Sequence, residues 1–132
     1  MKKALILVCV VCVMLCLFSC KSNDIKLNEE KSFFSDVKIE NDKVYIYCTL
    51  FLENHSNAQK VVEIKALLEN DAKNGLLKEA KLYGYTVDEN SKAFHLEQGE
   101  NQINIVFIGE YAGTPEKADR LLPEIEIIEI KE

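Results

Sequence analysis

The pattern of apolar and polar positions divides the chain into three stretches. Residues 4–18 form an uncharged run of fifteen behind Lys2 and Lys3. Residues 21–32 read Lys-Ser-Asn-Asp-Ile-Lys-Leu-Asn-Glu-Glu-Lys-Ser, polar and without a sustained apolar period, which predicts a flexible tether spanning about 20 Å. From Phe33 onward apolar residues recur mainly at alternate positions, the period of a strand with one face buried.

Within that body, 33–40 predicts a first strand, Asn41-Asp42 a turn, and 43–53 the strongest strand of the chain. Its alternation sets Val44, Ile46, Cys48, Leu50 and Leu52 on one face and Tyr45, Tyr47 and Phe51 on the other. Asn54-His55-Ser56-Asn57 ends it with four residues that favour turns. Segment 61–83 is open between strand and helix, because its alternation is carried by Ala, Lys, Glu and Leu, all good helix formers. The Asn74-Gly75 pair favours two strands joined by 69–75, the second continuing through Tyr83-Gly84-Tyr85-Thr86-Val87.

Further on, 93–96, a turn at Gln98-Gly99-Glu100, and alternation of Ile103, Ile105 and Phe107 against Gln102, Asn104 and Val106 predict a hairpin. Thr114-Pro115-Glu116 reads as a helix start, with Thr as N-cap and Pro in the first position. Pro123 limits that helix to a short crossover near 115–121. Ile125, Ile127, Ile128 and Ile130 form a closing strand whose inward phase shifts once, the mark of a bulge. The fold class expected is mainly β, a two-sheet sandwich of about seven strands.

Residues 50–56, the Asn74-Gly75 pair, and Leu96-Glu97-Gln98-Gly99 leading into 103–107 resemble the immunoglobulin-like domains of bacterial surface lipoproteins. The antibody-type Cys, Trp, Cys pattern is absent: Cys48 has no partner and the chain has no tryptophan. The N-terminus resembles a bacterial lipoprotein signal sequence: Lys2 and Lys3, the apolar run, then Leu17-Phe18-Ser19-Cys20 in the manner of a lipobox. Fifteen helical residues reach only about 22 Å, short of a ~30 Å hydrocarbon core, which disfavours a spanning anchor. The resemblance implies a signal helix removed as 1–19, a diacylglyceryl group on Cys20, a tether over 20–32 and an immunoglobulin-like domain over 33–132. Two or three acyl chains anchor durably, where one does so marginally.

Removal of 1–19 changes the remaining arithmetic. The full chain carries net charge −6; without Lys2 and Lys3 it holds 14 basic and 22 acidic residues, net −8. An acidic domain of this kind is a poor partner for nucleic acid and gains nothing from anionic lipid. Cys9, Cys12 and Cys16 lie in the removed segment and Cys20 would carry the lipid, so Cys48 alone remains as a free thiol and is expected to be a buried small hydrophobe.

No phosphate loop, nucleophile elbow, His-Glu-x-x-His pair or mature Cys-x-x-Cys occurs. His55 and His95 stand forty positions apart and could share a metal or catalytic site only through the fold. Candidate ligand contacts are Tyr111, between Gly109 and Gly113, and the Tyr45, Tyr47 and Phe51 face. The expectation is a non-catalytic, lipid-anchored binding or interaction module without cofactor or metal. It would be held at the cell membrane or outer membrane with its body outside the cytoplasm, displayed to an envelope protein or glycan. Two alternatives stay open: an immunoglobulin-like inhibitor presenting 109–116 to an extracellular protease, and a small hydrolase or metal-binding protein built on His55 and His95.

Overall fold

The computed structural model describes residues 24–115 and 120–131. Strand accounts for 59 % and helix for 5 % of the described residues, which makes them mainly β. Eight strands follow in order: β1 (Ile25–Leu27), β2 (Phe33–Glu40), β3 (Lys43–Asn54), β4 (Lys60–Leu67), β5 (Lys81–Thr86), β6 (Phe94–Leu96), β7 (Gly99–Glu110) and β8 (Glu124–Ile130). Among the described residues one short helix, α1 (Glu69–Lys73), lies between β4 and β5.

β2 and β3 form the hairpin expected from Asn41-Asp42. Both turn residues have positive φ, +53° and +63°, the backbone that a two-residue hairpin matching strand twist requires. β3 then pairs along its whole length with β7, from Lys43 opposite Glu110 to Asn54 opposite Gly99. β7 also pairs with Gly84–Thr86 of β5, while Lys81–Tyr83 of the same strand pair with β4. β5 therefore joins the two halves of the molecule into one hydrogen-bonded, nearly closed, barrel-like sheet. β8 lies along β4 from Leu67 opposite Glu124 to Val61 opposite Ile130 in continuous register, so the predicted bulge does not form.

The interior follows the alternation. Val44, Ile46, Cys48, Leu50 and Leu52 of β3 meet Val62, Ile64 and Ala66 of β4 and Ile103, Ile105 and Phe107 of β7 in one core. Gly84 sits where a Cβ would collide with Ile105 and come within 3.0 Å of Phe107, so the strand crossing depends on its missing side chain.

Several expectations are corrected. Ile25–Leu27, inside the predicted tether, pairs with Leu52–Asn54, and the buried Ser32 hydroxyl accepts the Phe51 N–H at 2.9 Å. The polar stretch is thus part of the body from Asp24 on, because backbone pairing to the free edge of β3 needs no apolar period. Asn74-Gly75 is a helix end, not a hairpin: the Leu76 N–H donates to Asp71 O at 3.0 Å and the Gly75 N–H to Ala72 O at 3.4 Å, with Gly75 at φ +85°. That paired pattern is the Schellman cap, which takes the same dipeptide for the same left-handed conformation. The hairpin predicted across Gln98-Gly99-Glu100 is not one either, since β6 pairs with β4 while β7 pairs with β3. The helix near 115–121 falls mostly on 116–119, and the signal helix and Cys20 on 1–23, all outside the described residues; Arg120 and Leu121 are not helical.

Candidate functional site

β3 carries the candidate residues because its two faces differ. With the even-numbered residues Val44 to Leu52 committed to the core, Tyr45, Tyr47 and Phe51 point away from it and remain half-buried. Register continues this outer face across four strands: Lys38, Tyr45 and Ile108 form one row, and Asp36, Tyr47, Val106 and Tyr85 the next. Val106 is 1 % exposed although it lies outside the core cluster, flanked in register by the rings of Tyr47 and Tyr85. Phe33, 50 % exposed, extends the apolar surface beside Thr49.

Cations sit over these rings. Lys38 Nζ lies 5.6 Å from the Tyr47 centroid, and Lys31 Nζ 5.8 Å from that of Phe51 while also bonding the Glu100 carboxylate at 3.0 Å. Such contacts at exposed rings contribute about 0.5–1 kcal/mol each, enough to orient a side chain without sealing the face.

Near Gly84, where β5 passes from β4 to β7, a groove of about 510 Å³ opens beside the tyrosines. Tyr45, Tyr85 and Ile108 supply its apolar surface, and Lys43, Glu79, Glu89 and Glu110 its charges. Two phenol rings with hydroxyls, three carboxylates and one ammonium can stack on a flat apolar surface and exchange hydrogen bonds with hydroxyls or amides. They offer no activated nucleophile. A second cleft, about 820 Å³, lies between α1 and 120–124, where Arg120 is bound bidentately to Asp71 at 2.5 and 2.9 Å.

Tyr111, the other predicted contact, is not displayed. Its ring is half-buried against the core, its backbone bridges to Leu77, and its N–H donates to Asp42 O at 2.9 Å. The loop around it is stitched to 75–78 by Ala112 N–H to Leu76 O at 2.9 Å and Thr114 N–H to Gly75 O at 3.0 Å. His55 is engaged by Glu53 at 3.3 Å, whereas His95 lies on β6 opposite Val61. Among the described residues no group of three or more His, Cys, Asp or Glu could hold a metal ion. Cys48 is buried as expected; desolvation pushes its thiol up to about 12, against a smaller lowering by Arg120, so it is no nucleophile at neutral pH.

Sequence reasoning found Tyr45, Tyr47 and Phe51 as a set but missed Tyr85, Ile108 and Phe33. Val106, out of phase with Ile105 and Phe107, carried the signal that β7 also has an apolar outer position. In comparison with known proteins, the chain matches no family model, no curated protein and no solved structure.

Proposed function

We propose that the protein is a lipid-anchored, non-catalytic binding module of the cell envelope, attached through Cys20 and contacting an envelope protein or glycan through the Tyr45, Tyr47 and Phe51 face. The observation that carries the binding part is the outer row Tyr47, Val106, Tyr85 with the groove beside it. Aromatic and aliphatic side chains at the centre of a four-strand face, rimmed by Lys38, Glu79 and Glu110, have the composition of an interaction surface. The binding proposal places the body outside the cytoplasm, at the cell membrane or the outer membrane. The immunoglobulin-like sandwich is likewise a proposal, supported by alternation and turn spacing; the sharing of β5 joins its two halves. The inhibitor and metal readings find no comparable support, since the Tyr111 loop is tied down and His55 is engaged by Glu53 while His95 lies on β6 opposite Val61.

The binding surface is tested by titrating ¹⁵N-labelled 21–132 with soluble cell-wall glycan fragments and with fractionated envelope proteins. Shifts centred on Tyr45, Tyr47, Phe51 and Ile108, and lost in Tyr45→Ser/Tyr47→Ser, are expected. Shifts centred instead on the His55 or His95 turns would overturn the assignment. For the anchor, Cys20→Ala moves the protein from detergent phase to aqueous phase, and continued detergent partitioning refutes lipidation.

A further inference from the structure

The position of β1 decides which end of the barrel the anchor reaches. Asp24 is held at the tip of the sheet: its carbonyl accepts the His55 N–H at 2.6 Å, and Ile25 pairs with Asn54. Gly99 also lies opposite Asn54, Leu96 opposite Lys60 and Ile130 opposite Val61, so the turns at 54–59 and 97–99 cluster at this end. The opposite end carries Asn41, Lys43 and Glu110. Along β3 the two ends are eleven residue steps apart, roughly 36 Å at about 3.3 Å per step.

Only four Cα steps separate Cys20 from Asp24, at most about 14 Å of extended chain. We infer that the protein meets a lipid bilayer end-on, with the turns at Asn57 and Gln98 against the headgroups and the Tyr45–Tyr85 groove directed outward. This rests on the proposed lipid anchor at Cys20. A tether of some 20 Å would have left the body free to tumble; a leash of four steps keeps the tip at Asp24 within about 14 Å of the anchor.

Charge does not supply the contact. At this end Lys31 is bound to Glu100 at 3.0 Å and Lys60 to Glu129 at 3.0 Å. Paired charges leave little net attraction to anionic lipid, so the leash sets the position, and the uncharged, exposed Asn57 and Gln98 meet the surface. The occupant of this end is thus the headgroup layer, and the ligand face stands clear of it.

The chain contains no tryptophan, which allows single-Trp reporters. The full lipidated chain, carrying Asn57→Trp, Gln98→Trp or Glu40→Trp, is reconstituted into phosphatidylethanolamine and phosphatidylglycerol vesicles bearing spin-labelled headgroups. Loss of fluorescence is expected for Asn57→Trp and Gln98→Trp, with none for Glu40→Trp at the far end. Equal loss at all three positions, as for a barrel lying on its side, or loss at Glu40→Trp alone would overturn the orientation. Flotation of each sample separates the two levels: if the wild type does not float, or Cys20→Ala floats equally well, the anchor fails and the orientation with it.

Discussion

Arg120 offers the sharpest test of how the chain segment after Pro115 is held. Its side chain is 9 % exposed, and it binds Asp71, 21 % exposed, through Nη1 to Oδ2 at 2.9 Å and Nη2 to Oδ1 at 2.5 Å. The guanidinium also lies 5.8 Å from the Phe34 centroid. Removing one partner of a fully buried pair costs about 3–5 kcal/mol because the other charge stays desolvated. Asp71 retains some water, so Arg120→Met should cost about 2–3 kcal/mol, of which the ring contact contributes about 0.5–1. For a body of this size that corresponds to a fall in Tm of about 10 °C. The cycle with Asp71→Asn isolates the pair from whatever else Arg120 touches, and a coupling of about 1–2 kcal/mol is expected. Urea unfolding of 21–132 followed by far-UV circular dichroism supplies all four stabilities. A coupling below about 0.5 kcal/mol would place the pair among ordinary surface ion pairs and refute the claim that it holds the segment onto α1.

Three further outcomes follow from the core and its turns. Gly84→Ala drives a methyl into Ile105 and to 3.0 Å from Phe107, and should lower stability by about 1–3 kcal/mol in the same assay; a neutral result would mean that β5 does not cross where described. Asn54, 1 % exposed, donates to Ala58 O and Leu96 O at 2.9 and 3.3 Å and accepts from Ser56, so Asn54→Ala should cost about 1–3 kcal/mol, and a loss below 0.5 kcal/mol would contradict the burial. The Cys48 thiol, raised from 9.0 to about 12, stays protonated in the folded state while the unfolded chain ionises. Stability is therefore fully present below about pH 9 and falls toward pH 12 by up to about 1.4 kcal/mol per pH unit, a slope that Cys48→Ala should flatten. Identical slopes in the two proteins would remove the burial argument.

Legibility varied with the source of each signal. β3 was readable to within one residue because period-two alternation runs through Val44, Ile46, Cys48, Leu50 and Leu52 without a break, and its buried face is the one predicted. β1 was not readable, since Ile25 and Leu27 sit among charges and gain their order from pairing with Leu52–Asn54 and from packing against the core, tertiary causes that so short a local pattern does not encode. Asn74-Gly75 misled for a physical reason: hairpin turns and helix C-caps both demand a left-handed residue, and only the neighbouring segments decide which forms. Pairing partners were the least accessible. The turn at Gln98-Gly99 was real, yet Leu96 of β6 pairs with β4 and Gly99 of β7 with β3, so adjacency in sequence did not become adjacency in the sheet. Tyr111 stands out in the sequence for its glycine neighbours, but its ring packs partly buried against the core.

The arrangement of β3 bears on how ligand contact and stability can be separated. Its inner face supplies five members of the core, including residues with no exposure at all, while Tyr45, Tyr47 and Phe51 lie on the outer face and are not part of that core. Truncating Tyr47 therefore opens no void in the interior; it uncovers Val106, whose burial comes from the outer face. The outer face thus shields one aliphatic residue of its own and leaves the tyrosine rings half-open. On the proposed binding reading, Val106 is the point at which a ligand displacing Tyr47 or Tyr85 would gain additional apolar contact.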